Sequence, residues 1–302
     1  MFNPEKRIES RREEVDLSVE KIISSVNTEH ISIDRFKKLE KYNEKEIEKD
    51  KETLRSAEDY FEKKEARLPK EQREKLEKSQ KRGEAMEIVL ADLLDRWFET
   101  DEIEAMTQRT TRFDDVVNGV DIIVEFKTDK SIERTALAID ASLNISGIED
   151  KLERCFQRVT GNEGDFQVKY FQGQFADESG DYPHGPLKTI VPMAVGLGYK
   201  NANNLFEEFA NYLSARDRNF EKGLDEMDKL TKNSIKKVFL MQIKNQLDFY
   251  KNRSEDINQE TLDEINKIST IVEEISEEME SIVCDLRQED DEVLKETKKL
   301  SK

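Results

Sequence analysis

The chain has 302 residues, of which 39% are charged and 35% hydrophobic. So little apolar material argues against one compact globule around a single large core and predicts an elongated or multi-part protein. The net charge of -18 excludes the broad basic surface with which a protein holds duplex DNA by phosphate neutralisation. The sequence lacks both the roughly 20 consecutive apolar residues of a membrane span and a signal-like N-terminus, so we expect a cytoplasmic protein with no membrane partner.

Few residues suited to zinc binding or histidine chemistry occur in the sequence. Cys155 and Cys284 lie far apart, without a neighbouring His or Cys, and are interpreted as ordinary thiols. The only histidines are His30 and His184. Any chemistry is therefore expected to depend on carboxylates and lysines.

The N-terminal third predicts three helices. An Asn-Pro-Glu start and helically spaced apolar residues predict the first, up to about residue 26. A sevenfold spacing from Ile47 to Leu68 predicts a coiled-coil-like arm that ends at Pro69. From Lys70 to about Phe98 a single apolar stripe predicts a third helix.

The middle of the chain, from residue 103 to 198, is richer in β-branched residues and predicts a mixed sheet. Asn118-Gly119, between apolar runs, is typical of a hairpin turn. A helix with apolar residues at helical spacing is predicted over residues 148–159. The strand candidates are residues 116–117, 120–126, 137–139, 168–171 and 190–197.

The last third is again helical. Its clearest pattern, from Ile265 to Leu286, alternates spacings of three and four residues, which is typical of a coiled-coil seam. The seam is expected either to pack against the N-terminal arm or to join two chains. The predicted class is α+β, with a helical arm over residues 1–69, a core over 70–199 and a helical or coiled-coil region over 200–302.

Three carboxylates stand out because they interrupt apolar segments of the middle region. Glu87 lies in the third helix, Asp121 falls inside the run 120–126, and Asp140 ends an apolar strand. Glu84, one turn earlier, is the alternative for the helix position. A buried carboxylate is costly unless a cation or a donor compensates it, so these groups are candidates to converge on a divalent metal.

The order of these motifs resembles the PD-(D/E)xK nuclease superfamily over about residues 80–199. The resemblance implies a restriction-endonuclease-like mixed sheet with flanking helices, embedded between the arms. It implies that Glu87, Asp121 and Asp140 hold Mg²⁺ or Mn²⁺ and that the protein is a metal-dependent endonuclease that hydrolyses phosphodiester bonds in nucleic acid, in DNA rather than RNA.

The sequence departs from the family pattern at one position. Ser142 stands where the superfamily has its motif lysine, and a hydroxyl carries no charge. Some members of the superfamily place that lysine on the next helix, which makes Lys151 the candidate catalytic lysine, with Lys169 as a second possibility. The alternative is a catalytically inactive nuclease fold that acts as a scaffold, through a homodimer or a partner protein bound by its coiled-coil arms.

Overall fold

The structure is a computed structural model that describes residues 4–26, 30–39, 41–128, 131–143, 147–161, 166–176, 180–279 and 291–300. None of the helices in these ranges is long and apolar enough to cross a membrane. They are α1 (Pro4–Ser25), α2 (Glu44–Ala66), α3 (Lys70–Phe98), α4 (Arg112–Asn118), α5 (Ile148–Val159), α6 (Tyr199–Arg218), α7 (Phe220–Thr231), α8 (Ile235–Asn252), α9 (Gln259–Glu278) and α10 (Glu292–Leu300).

Four strands form one mixed sheet in the order β1-β2-β3-β4. They are β1 (Ile103–Arg109), β2 (Ile122–Thr128), β3 (Ser131–Leu143) and β4 (Val191–Leu197). The strand β2 is antiparallel to both β1 and β3, and β4 is parallel to β3. A parallel neighbour requires a crossover, and α5 lies in that connection. The predicted α+β class with a mixed sheet is confirmed.

Two strand predictions were wrong, because one of these segments is a capped helix and the other is a loop with an isolated bridge. Residues 116–117 belong to α4, whose first turn is capped by the Thr111 hydroxyl and whose end is Gly119 in the left-handed conformation, with φ of 59°. Asn118-Gly119 is thus a helix terminus and not a hairpin turn. Residues 168–171 contribute only isolated bridges, such as Val168 with Leu187.

The helix predictions hold at α3, whose bounds are those expected from its apolar stripe. The arm before it begins with a 3-10 helix, Ile33–Lys38, and continues as α2. The seam residues Ile265, Ile268 and Val272 are buried in the largest hydrophobic cluster of the chain. There α9 packs chiefly against α8 and β3, which differs from the expected packing on the N-terminal arm. The end of the predicted seam, at 282 and 286, lies outside the described residues.

The largest hydrophobic cluster continues from α1 and α3 through the sheet to the helices of the last third. Its members include Val15 from α1, Trp97 from α3, Phe126 from β2 and Phe239 from α8. The chain therefore buries more apolar side chains in one place than its composition led us to expect.

The outer edge of β4 is covered by side chains of α8. Gln246 donates to the Ala194 carbonyl at 2.9 Å and accepts from the Ala194 amide at 3.0 Å. Gln242 makes the same pair of bonds with Gly196, at 2.8 and 2.9 Å. Four helical residues rise about 6.0 Å and two strand residues about 6.6 Å, so the glutamines match alternate edge positions. They therefore replace a fifth strand.

The helix α2 is held to the core by an aromatic cluster. The Tyr42 and Tyr170 rings stack at 5.4 Å between centroids, and Phe113 meets Tyr170 edge-on at 5.5 Å. The Tyr170 hydroxyl donates to the buried carboxylate of Asp50 at 2.6 Å, and Lys169 pairs with the same carboxylate at 2.6 Å. These contacts fix the start of α2 beside α4.

Candidate functional site

Antiparallel pairing brings Asp121 and Asp140 to the same end of the sheet. Ile122 of β2 lies opposite Ile139 of β3. Because these strands are antiparallel, Asp121, the residue before Ile122, and Asp140, the residue after Ile139, are neighbours. Arg109, the last residue of β1, lies opposite Ile122. The end of β1, the start of β2 and the end of β3 therefore meet, and the remaining groups come from helices.

A cavity of about 780 Å³ opens at this end of the sheet. Its lining includes the candidate residues Glu87, Asp121 and Lys151, together with Ser142. Asp140 is not part of this lining but pairs with Lys151. Basic groups from α3, β1, α4 and α5 share its wall. The lining residues include Lys81, Gly83, Glu84, Glu87, Arg109, Arg112, Asp115, Asp121, Ser142 and Lys151.

Asp121 is the most buried carboxylate of the cavity wall and has other carboxylates beside it. Its side chain accepts a hydrogen bond from the Ala141 amide at 2.7 Å, which ties the start of β2 to β3. Burial, followed by the charges of Glu87 and Asp140, raises the pKa of Asp121 well above its ordinary value. Asp121 is therefore protonated more readily than an exposed aspartate.

Asp140 is held by two cations from consecutive turns of α5. The Lys151 ammonium donates to one carboxylate oxygen of Asp140 and to the Ala141 carbonyl, the latter at 2.6 Å. Arg154 approaches the other oxygen at 3.9 Å. Lys151 thereby reaches the sheet end from the first turn of α5, where Gly147 precedes the helix.

Glu87 is held by Arg109, which joins it to the N-terminal segment. The Arg109 guanidinium pairs with Glu87 at 2.9 Å and lies 3.3 Å from Nε2 of His30. The Nδ1 atom of His30 lies 3.2 Å from the Thr110 carbonyl, so it carries the ring proton that donates there. Burial, followed by the charge of Arg109, lowers the pKa of His30, and the ring is neutral near pH 7.

The two alternatives for the helix carboxylate both line the cavity, since Glu84 and Glu87 lie one turn apart on α3. The charge of Glu87, and not that of Glu84, is among the main causes that raise the pKa of Asp121. Burial, with the charge of Asp115, also raises the pKa of Glu87 itself. Glu87 is therefore the closer electrostatic neighbour of the aspartate.

The two lysine alternatives are separated by the fold. Lys151 lines the cavity, whereas Lys169 is absent from its lining and is paired with Asp50 beneath α2. Only Lys151 of the two contacts a candidate carboxylate among the described contacts of these residues.

In the described part of the chain, no three His, Cys, Asp or Glu side chains lie close enough together to hold a metal ion as they stand. The oxygens available around Asp121 are the carboxylates of Glu87 and Asp140 and the Ala141 carbonyl. Two of these groups, Asp140 and the Ala141 carbonyl, now bind the Lys151 ammonium.

Sequence reasoning missed Arg109, Arg112, Asp115 and His30 as cavity residues. The strand β1 was not predicted. Ile103 and Ala105 are buried and alternate with the exposed Glu104 and Met106, but the apolar Met106 hides this alternation in the sequence. Nothing in the sequence relates His30 to Arg109, because that contact spans 79 positions.

Comparisons with family models, curated proteins and solved structures find no match for this chain.

Proposed function

We propose that this protein is a metal-dependent nuclease that hydrolyses phosphodiester bonds in nucleic acid at the cavity beside Asp121. The observation that carries the proposal is the meeting of Glu87, Asp121 and Lys151 in one cavity, with Asp140 bound to Lys151. These groups come from a helix, two strand ends and a crossover helix that are distant in sequence. This is the set that the resemblance to the PD-(D/E)xK superfamily implies.

The order of elements supports the same proposal. From α3 to β4 the chain forms a helix with the glutamate, three antiparallel strands with the short helix α4 between the first two, a crossover helix and a fourth, parallel strand. Restriction-endonuclease-like cores are the fold class that we propose for residues 70–199. A fold alone does not define an activity, so the proposed nuclease activity depends on the side chains of the cavity.

The residues present fit Mg²⁺ or Mn²⁺ in charge and donor type. Glu87, Asp121 and Asp140, with the Ala141 carbonyl, would hold the ion through oxygen, which is the donor that these hard cations prefer. Binding requires the carboxylates to move closer together and the ion to replace the Lys151 ammonium on Asp140 and the Ala141 carbonyl. Burial, followed by the charges of Glu87 and Asp140, raises the pKa of Asp121, and a bound cation would favour its ionised form. When bound, the ion would activate water and stabilise charge on the scissile phosphate.

Lys151 is the proposed substitute for the missing motif lysine. Its ammonium already lies at the end of β3, close to Ser142, and it reaches the cavity from α5. There it can neutralise a phosphate oxygen and orient the attacking water, as the motif lysine would. The Ser142 hydroxyl can add a hydrogen bond but no charge.

Arg109 is a second cation for the substrate. It lines the cavity from β1 and holds Glu87 in place. Arginine binds phosphate with two parallel hydrogen bonds, which gives direction as well as charge. We therefore assign Arg109 to the orientation of Glu87 and to the recognition of a substrate phosphate.

The test is cleavage of plasmid, single-stranded and branched DNA, and of RNA, with Mg²⁺ or Mn²⁺. We expect Asp140→Asn to lower the rate about 100-fold or more, because a metal-binding oxygen loses its charge. Lys151→Met should lower it by about 100-fold as well, since a positioned cation for the phosphate is removed. The controls are Asp225→Asn and Lys244→Met, two exposed changes outside the cavity.

Equal cleavage by Asp140→Asn and the unchanged protein would indicate a contaminating nuclease and remove the proposal. Retained folding is checked by thermal melts of each variant.

One observation favours a second candidate, a catalytically inactive nuclease fold that binds a partner. Glu87 and Asp140 each already have a basic partner, Arg109 at 2.9 Å and Lys151, so these two carboxylates are compensated without a metal. This candidate predicts no metal-dependent cleavage of any of the substrates. It also predicts no change in melting temperature when Mn²⁺ is added, whereas an ion bound by the native state would raise it.

A further inference from the structure

Two adjacent aromatic side chains lie exposed on α2, in a helix whose surface is otherwise mostly charged. Tyr60 is 64% exposed and Phe61 50% exposed. Their rings meet edge-on, with 5.7 Å between centroids. Adjacent exposed apolar side chains can mark a binding site, and neither the fold nor the proposed chemistry uses this pair.

Phe61 lies on the face of α2 that is turned toward the cavity. Helical spacing places it between Glu58 and Glu65, three residues after one and four before the other. Glu58 accepts from Arg112 at 3.2 Å, and Glu65 accepts from Gln80 at 2.6 Å. Arg112 and Gln80 both line the cavity. Phe61 thus lies between two bridges from α2 to the cavity wall.

The exposure of Phe61 follows from the divergence of the two arm helices. Toward the core α2 packs against α4, while α3 packs against β1 and α1. The apolar stripe of α2 is buried at Ile47, where it meets the core, and becomes exposed at Phe61. Opposite, α3 presents Gly83 to the cavity, and a Cβ atom there would meet nothing within 4 Å.

We propose that Phe61, supported by Tyr60, is a stacking platform for an unpaired base, which makes single-stranded nucleic acid the preferred substrate of the proposed nuclease. This inference rests on the proposed function and names its substrate class. A flat aromatic ring stacks on any base, but the bases of a duplex are already stacked on one another, so only an unpaired base has a free face.

The charges near Phe61 suit a single strand. Lys81, Arg109, Arg112 and Lys151 reach the cavity from four different elements, alongside the carboxylates of Glu77, Glu84, Glu87, Asp115 and Asp121. Each of the four cations is paired with a carboxylate, so a phosphate backbone that enters the cavity would bind them by exchanging with those partners. The molecule as a whole carries a net charge of -18, which opposes the long electrostatic contact that duplex binding uses. Stacking supplies affinity that does not depend on a broad basic surface.

The experiment measures binding of a short fluorescein-labelled oligothymidylate and of a hairpin duplex by anisotropy, with Ca²⁺ in place of Mg²⁺. We expect tighter binding of the oligothymidylate than of the duplex. Phe61→Leu should weaken binding of the oligothymidylate about tenfold, because a base loses its stacking partner. Phe61→Tyr, which keeps an aromatic ring, should bind the oligothymidylate as tightly as the unchanged protein. The matched control is Phe220→Leu, an exposed phenylalanine of α7, which contributes no residue to the cavity lining.

Unchanged oligothymidylate binding by Phe61→Leu would overturn the inference while leaving a cleaving protein as a nuclease. An equal loss of duplex binding would overturn the preference for single strands. If light scattering shows that Phe61→Leu separates a dimer, a second copy of the chain covers the ring and the inference fails. A chain that neither binds these probes nor cleaves any substrate with Mg²⁺ would remove both proposals.

Discussion

The negative charge of the buried Asp121 carboxylate opposes folding. Asp121 is buried, its neighbours Glu87 and Asp140 are also acidic, and these causes raise its pKa. The folded state therefore binds a proton more readily than the unfolded chain, in which an aspartate has a pKa of about 3.9. Between the two pKa values, stability falls as pH rises, because deprotonation is easier after unfolding.

We therefore predict that Asp121→Asn raises the melting temperature of the metal-free protein near pH 8. The expected change is a few degrees, at about 2–4 °C for each kcal/mol, and it should shrink below about pH 3, where the aspartate is protonated in both states. The amide side chain introduced by this change would still accept the Ala141 N–H through its carbonyl oxygen. Thermal melts across pH measure the difference, with Asp225→Asn as the exposed control.

The contrary result is a variant that is less stable than the unchanged protein at pH 8. It would mean that the hydrogen bond to Ala141 contributes more than relief of the buried charge. Mg²⁺ should stabilise the unchanged protein and not the variant, since the native state of the variant has lost a ligand.

At the residue scale, the candidate carboxylates were predictable because each interrupts an apolar segment. Glu87, Asp121 and Asp140 are visible in this way. Lys151 became a candidate only through the resemblance, since some members of the superfamily carry the motif lysine on the next helix. Arg109 and His30 were not predictable, because their roles come from contacts between segments that lie far apart in sequence. Such contacts leave no periodic signal.

At the scale of elements, apolar periodicity predicted the helices well and the strands only in part. The 29-residue helix α3 carries one apolar stripe, and α5 is amphipathic between clear breaks. At residues 116–117, capping by Thr111 and Gly119 overrides the β preference of two valines. Gln242 and Gln246 are fully buried polar residues of α8, and their role depends on the neighbouring strand edge.

The glutamine pairs on the edge of β4 provide a test at this scale. We predict that Gln246→Leu lowers the free energy of unfolding by about 2–4 kcal/mol, because the buried N–H and C=O groups of Ala194 lose their partners. Denaturant unfolding measures the change. Lys244→Leu, an exposed change on the same helix, should alter stability by much less.

A loss below about 0.5 kcal/mol would contradict this account of the edge. It would mean that Ala194 finds other partners, such as water, once the glutamine is gone.

At the scale of the whole molecule, the seam of α9 is used inside the chain. Ile265, Ile268, Val272 and Ile275 are all buried in the largest hydrophobic cluster, so these residues are not available to a second copy. The described part of the seam packs within the chain, but on α8 and β3 and not on the N-terminal arm as expected.

We therefore predict that light scattering gives the mass of one chain, 35.3 kDa. Ile268→Asp should lower the melting temperature strongly without changing an oligomeric state, because a charge would be buried in the core. A stable dimer that Ile268→Asp converts into folded monomers would show that the seam joins two chains.

The glutamine side chains of α8 on the edge of β4 also prevent another strand from joining the sheet there. A peptide that joined the sheet there would have to remove α8 from a buried surface and replace both glutamine pairs at once. Substrates, partners and misfolded copies of the chain are thereby denied strand addition at β4. The width of the sheet is set by a helix and not by the supply of further strands.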